Sequence, residues 1–211
     1  MAQEPTRPDG LPLSVYLAVR RRHPTLPAVR VRKQTLSALS HALEDEIAAR
    51  CDHPVLFGGF QQVRHLTIPL PRWQELARRA RSVVVFVEEP ADGAPTPDTG
   101  VRVLRTPTDA PVRWEWIVVA ADPGFGVALV AWEIPGQEAI RDRDRAFELV
   151  WSLEPGPVEV ATRTCALIAA HAGLPEADEL VPATPTHDVD LRTASEVFSR
   201  VLARVDATRS T

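Results

Sequence analysis

Two glutamates in apolar surroundings are the residues best placed to do chemistry. Trp114-Glu115-Trp116-Ile117-Val118-Val119-Ala120 and Phe125 to Glu133 each end in a carboxylate on an otherwise apolar strand pattern. Alternation puts Trp114, Trp116 and Val118 on one face and Glu115, Ile117 and Val119 on the other. In the second strand Phe125, Val127, Leu129, Ala131 and Glu133 share a face, with Ala128, Val130 and Trp132 opposite. A buried carboxylate without a partner is unstable or takes up a proton. Each should therefore reach a sheet end, pair with arginine or line a pocket. Ala121-Asp122-Pro123-Gly124 is a turn signal that joins the strands as an antiparallel hairpin. Closing it brings Glu115 and Glu133 to one open end, beside Trp114, Trp116 and Trp132. That end reads either as a pocket with an aromatic wall and an acidic rim, or as strand ends meeting solvent with the tryptophans as core. In a pocket, a carboxylate of raised pKa could serve as a general acid or base.

The second candidate is Leu56-Phe57-Gly58-Gly59-Phe60-Gln61. Val55 to Phe57 reads as a short buried strand, and the two glycines as a turn at its end, where a ligand can approach backbone. Gln61 is a pocket donor and acceptor, or a cap for nearby backbone. In open α/β sheets ligands favour the carboxyl ends of parallel strands, which is where this turn falls. The candidate ligand-binding set is Phe57, Gly58, Gly59, Phe60, Gln61, Trp114, Glu115, Trp116, Trp132 and Glu133.

No nucleophile elbow, phosphate-binding loop, dinucleotide fingerprint or zinc motif is present, so no catalytic residue and no metal ligand is assigned. The six histidines are scattered; His41 could face Asp45 as a surface pair. Cys51 and Cys165 fall on helical patterns and read as small buried thiols in a reducing cytoplasm. No cofactor is identified.

These residues need a scaffold. Ser14 is a cap for a short helix, Val15 to Arg22, stopped by Pro24, and Thr25 to Lys33 reads as an extended connection. Leu36, Leu39, Leu43 and Ile47 make the stripe of a helix ending near Arg50, with Glu44-Asp45-Glu46 mostly off that stripe. Phe60 to about His65 is helix-like, and Pro71 opens a helix over Arg72 to Arg81. Ser82 to Val87 is apolar on both faces, hence a central strand, in parallel crossover from Val55 to Phe57. Val101 to Leu104 is an edge strand. Helices are expected over Asp142 to Trp151, Val158 to Ala172 and about Leu191 to Val205. The apolar face of the last should fold back on the sheet, or else meet a dimer partner. The expected fold is α/β (α+β), a mixed sheet of about five strands flanked by helices, with extra helices at the N- and C-terminal ends. The chain divides into a tail and connector helix (1–33), a central domain (34–173), and a linker with the last helix (174–211).

Composition narrows the partners. The chain has 211 residues, 45% hydrophobic and 25% charged, which suits a folded globular protein. A formal net charge of −4 with dispersed arginines argues against nucleic-acid binding, which needs a concentrated cationic face. Arg20-Arg21-Arg22 and Arg78-Arg79 read as solvated helix surface. No stretch is long and apolar enough for a membrane span, and residues 1–10 lack a secretory apolar core, so a cytoplasmic location is expected.

Several segments, taken in order, resemble the DICT sensory domain: Thr35-Leu36-x-Ala38-Leu39-Ser40-x-Ala42-Leu43-Glu44-Asp45-Glu46, Pro54-Val55-Leu56-Phe57-Gly58-x-Phe60-Gln61, Trp73-x-Glu75-Leu76-Ala77 and Val83 to Phe86. Trp114-x-x-Ile117-Val118-Val119, Phe125-x-x-Ala128-Leu129-x-Ala131-x-Glu133 and Arg145-x-Phe147-x-x-x-Trp151 continue the likeness, which covers roughly Leu36 to Val160. Gly59 departs from the alanine common at that place. The resemblance implies a sensory α+β domain of the kind found with diguanylate cyclases, two-component proteins and, in actinobacteria, MerR-type regulators, for which a light response has been suggested. Leu13 to Lys33 is similar to the connector of the MerR-fused proteins, but the ten polar residues before Leu11 leave no winged helix, so direct DNA contact is not expected. The family has no agreed catalytic residues to carry over. The expectation is a stand-alone sensory module that binds a small ligand, a chromophore or a signalling partner protein and signals through protein contact; a homodimer would suit it. The alternatives are a small enzyme using the pocket carboxylates and an interaction scaffold without a ligand.

Overall fold

The computed structural model describes residues 13–61, 66, 69–88, 100–181 and 190–209. Its centre is a mixed sheet of seven strands in the order β1-β7-β6-β5-β2-β3-β4, two more than expected. The strands are β1 (Val29–Arg32), β2 (Val55–Phe60), β3 (Ser82–Glu88), β4 (Val101–Thr106), β5 (Glu115–Ala121), β6 (Gly126–Glu133) and β7 (Ala146–Ser152). The expected parallel pairing of β2 with β3 is present, and β4 extends it in parallel at the edge. All other neighbours run antiparallel, including the β5–β6 hairpin, which closes at Ala121 and Gly126 as its turn residues require.

Helices cover both faces. On one lie α1 (Val15–Arg22) and α4 (Pro155–His171), packed on Phe57, Ile117, Val119, Val130 and Val150. On the other lie α2 (Lys33–Arg50) and α3 (Leu70–Ala77), packed on Leu56, Val85, Val118, Leu129 and Phe147. Each central strand therefore buries both of its side-chain rows, which is why Val83 to Val87 reads as a continuous apolar run. No helix of the described residues is long and apolar enough to cross a membrane.

Several expectations are corrected. Asp142 to Trp151 is not a helix: a short 3-10 turn, Asp142–Asp144, leads into strand β7. Phe147, Val150 and Trp151 fit helical spacing, but Phe147, Leu149 and Trp151 fit strand spacing equally well. The open flank of β6 decides between them. The connection before Lys33 contains β1, which pairs with β7 and ends the sheet. Its exposed Arg30 and Arg32 discourage a further strand from adding there. Gly58 and Gly59 do not form a turn. They lie inside β2, which continues to Phe60, and the chain turns only at Gln61. The helix expected over Phe60 to His65 thus begins as strand, and residues 62–65 lie outside the described residues.

The last correction concerns α5 (Leu191–Arg209), which packs on α2 rather than on the sheet. Its Val197 is buried, whereas Leu191, Phe198 and Leu202 remain exposed. Because α3 covers Glu44 and α5 covers Glu46, the acidic run is not off the packed surface either. Glu44 and Glu46 are buried, and only Asp45 is half-exposed.

Candidate functional site

The structure separates the two acids that the hairpin was expected to unite. In the β5–β6 register Glu115 stands opposite Trp132, so Glu133 lies one residue further along and points to the other face. A one-residue offset reverses the side of a strand side chain. The three tryptophans part as well. Trp116 faces α2, Trp132 packs against Tyr16 at a centroid distance of 6.4 Å, and Trp114 is exposed with the Arg113 guanidinium 4.7 Å over its ring.

Glu115 is fully buried beneath the start of α1. Its carboxylate accepts from the backbone N–H groups of Val15 (3.1 Å) and Tyr16 (3.2 Å), and from the Ser14 hydroxyl. The N-terminal N–H groups of a helix have no internal partner and carry partial positive charge. Glu115 supplies that partner from 100 residues away. Burial still pushes its pKa up to about 7, against the opposing pull of the three hydrogen bonds. This residue anchors α1 to the sheet and lines neither of the two cavities described below.

Glu133 is held on the opposite face, between the Arg145 guanidinium and the side-chain N–H of Gln61 at 2.7 Å. Gln61 is the one non-glycine residue with positive φ (46°) among the described residues. Its backbone carbonyl accepts from Glu88 N–H at 2.9 Å, which ties the turn to the end of β3. A non-glycine residue in this conformation costs about 1 kcal/mol, and such residues gather at functional sites when their surroundings hold them there. Gln61→Ala keeps the strain and loses the hydrogen bond, whereas Gln61→Gly loses the bond and relieves the strain. Urea denaturation is expected to find the alanine variant less stable by about 1 kcal/mol. Equal stabilities would mean that the left-handed turn does not persist in solution.

Gln61 opens onto a cavity of about 250 Å³ between α2 and the sheet. Gly59, Phe60 and Gln61 form one side, Trp116 and Val118 another, and Lys33, Ser37, Ser40, His41 and Glu44 of α2 the roof. The cavity lies at the carboxyl end of β2, where a strand with a parallel neighbour leaves room for a ligand. Trp116 is fixed by a 2.8 Å hydrogen bond from its indole N–H to Ser40 Oγ and by edge contact with Phe147. Phe60 is fixed by edge contact with Trp73.

Among the described residues, two ion pairs border the cavity. Lys33 Nζ donates to Asp142 at 2.7 Å, and Arg72 Nε donates to Glu44 at 2.5 Å. The Glu44 carboxyl is raised above its ordinary pKa by burial, against the pull of Arg72 and the Trp73 indole. The His41 imidazole is held low by desolvation, then by Arg72 and Arg204. Asp45, next along α2, is affected by burial, but hydrogen bonds from Arg204 and Arg72 hold it below the usual carboxylate range.

A shallower groove of about 500 Å³ lies beyond the ion pairs of Arg145 and contains Trp114, Trp132 and Glu133. The expected ligand set is therefore divided. Gly59, Phe60, Gln61 and Trp116 meet at the cavity, and Trp114, Trp132 and Glu133 at the groove. Phe57 stacks on Phe86 in the core, Gly58 receives the Trp73 ring, and Glu115 caps α1. Sequence reasoning missed the contribution of α2. The signal was present: Ser40 and Glu44 continue the helical stripe that starts at Leu36, and polar residues on a buried stripe need a partner or a pocket.

Both cysteines are buried thiols with raised pKa: Cys51 is pushed up to about 12, and Cys165 well above its usual value, mainly by burial. Among the described residues no group of three or more His, Cys, Asp or Glu side chains could hold a metal ion. A family described as DICT, sensory domain in diguanylate cyclases and two-component system, matches residues 13–134. No curated protein matches the chain.

Proposed function

The chain belongs to the DICT family of sensory domains, and on that premise we propose that it binds a small, flat, uncharged molecule in the cavity between α2 and the sheet. The observation that carries this reading is the cavity itself, walled by Trp116 and Phe60 and floored by the left-handed Gln61. Apolar walls with a few convergent polar groups are the usual form of a ligand site. Aromatic side chains favour a planar guest. Lys33, Asp142 and Glu44 are each engaged by an opposite charge, so the site does not require a charged one. Gln61 donates its amide N–H to Glu133 while lining the cavity. Occupancy is then relayed to a signalling partner protein. The enzyme alternative has little to rest on, because Glu115 is sealed under α1 and Glu133 is bound by Arg145 and Gln61.

The test is native mass spectrometry and an absorption spectrum of the protein purified from its natural host, beside a Ser37→Trp variant. Ser37 is half-buried at the roof, so an indole there fills the cavity without entering the core. The wild type is expected to carry a bound molecule that the variant lacks, with both chains equally folded. A molecule retained at equal occupancy by both, or absent from both, would sink the assignment.

A further inference from the structure

The cavity roof and the C-terminal helix are joined by one side chain. Arg72 of α3 donates from Nε to Glu44, which lines the cavity, and from a terminal nitrogen to Asp45 at 2.5 Å. Asp45 also accepts from Arg204 of α5 at 2.8 Å. The remaining attachment of α5 combines ion pairs with Val197 and Val201, which pack on the core. Arg200 lies 2.7 Å from Glu46, and Arg50 bridges Glu46 at 2.6 Å and Glu196 at 2.5 Å. Val197 is the one hydrophobic residue of α5 counted in the buried core, while Leu191, Phe198 and Leu202 stay in solvent. Asp45 and Arg204 are both partly exposed, and such pairs hold weakly, so a change at Asp45 can shift the docking of α5.

We propose that Arg72 relays the state of the cavity to the C-terminal helix by dividing its guanidinium between Glu44 and Asp45. A guest that donates a hydrogen bond to Glu44, or displaces it, turns Arg72 fully onto Asp45. Asp45 then holds Arg204 less tightly, and α5 lifts from α2. The element whose equilibrium changes is α5, docked or free, and this is the two-state element a signal needs. Linkage makes the effect reciprocal, so freeing α5 alters affinity at the cavity by the same factor. This inference rests on the cavity being the sensory site, but the coupling itself can be measured without any ligand.

The experiment is amide hydrogen exchange of residues 191–207 in four full-length chains: wild type, Glu44→Gln, Arg72→Lys and the double variant. Glu44→Gln removes the charge that competes for Arg72. It is expected to speed exchange in α5 about five-fold, the size of one modest ion pair. Lysine keeps the positive charge, but its single ammonium cannot span two carboxylates as the guanidinium fork does. In the Arg72→Lys background, Glu44→Gln is therefore expected to leave α5 exchange unchanged. Exchange in β5 and β6 reports whether each variant is folded. If Glu44→Gln has no effect on α5, or the same effect with lysine at position 72, the relay is overturned. A protein that carries no bound molecule but shows this coupling would defeat the cavity reading alone. One that binds a molecule but shows no coupling would defeat the relay alone.

Discussion

Glu115→Ala is expected to destabilise the fold by about 3 kcal/mol, since it orphans two buried N–H donors and the Ser14 hydroxyl in one step. Glu115 is 0% exposed, so its hydrogen-bond donors face the core rather than bulk solvent. The loss is a large fraction of the about 5–15 kcal/mol that holds a domain of this kind together. It should fall first on α1, whose Val15, Tyr16 and Val19 form part of the core on their face of the sheet. The same residue sets a pH dependence. Its folded pKa of about 7 lies above the value of 4.5 for a free carboxyl, so the folded state binds the proton more tightly. The stabilisation it supplies is complete below about pH 4.5 and is lost as pH rises through about 7. A shift of this size corresponds to at most about 3 kcal/mol. Glu115→Gln keeps the shape without the titration. Denaturant unfolding of wild type and Glu115→Gln between pH 5 and 8.5 should show the wild type losing ground to the variant as pH rises. A difference that stays constant over that range would show that Glu115 ionises as an ordinary carboxyl.

What the sequence made legible follows from the range of each interaction. The β5–β6 hairpin was readable because its turn residues and alternation are local, and the parallel β2–β3 pair because its strands are apolar on both faces. The β7 strand was not readable. Its spacing satisfies both periods, and the choice is made by the flank of β6 and by β1, more than 110 residues earlier in the chain. The site shows the same division. Gln61, Phe60 and Trp116 were found from local chemistry, whereas Ser40 and Glu44 entered only when α2 was laid across them. Glu115 was expected to reach a sheet end, pair with arginine or line a pocket, and its partner is instead a helix start. That the partner is a helix start lies in a contact across 100 residues, which no local pattern encodes.

Gly58→Ala is the second substitution with a large expected effect, for a reason that reverses the first impression of the double glycine. Gly58 sits in regular strand and needs no special backbone conformation. Its requirement is space. A methyl group there would lie 2.7 Å from Cη2 of Trp73 and 2.9 Å from Cε2 of Phe60, well inside van der Waals contact. The indole cannot easily retreat, because it is buried and its N–H is bonded to Glu44 at 3.2 Å. Overpacking of this kind costs about 1–3 kcal/mol. Relief must come from Phe60, which is free to move only towards the cavity it lines. Gly58→Ala is therefore expected to lower stability by about 2 kcal/mol and to displace a bound molecule as well. Gly59→Ala meets Cβ, Cγ1 and Cδ1 of Ile117 at 3.2 Å on the opposite side of the strand, a tight contact that a movement of a few tenths of an ångström relieves. That variant should be milder and should spare binding. Thermal unfolding and ligand occupancy of the two variants side by side decide the matter. Equal losses at both positions would mean that strand geometry, not the Trp73–Phe60 wall, is what the glycines protect.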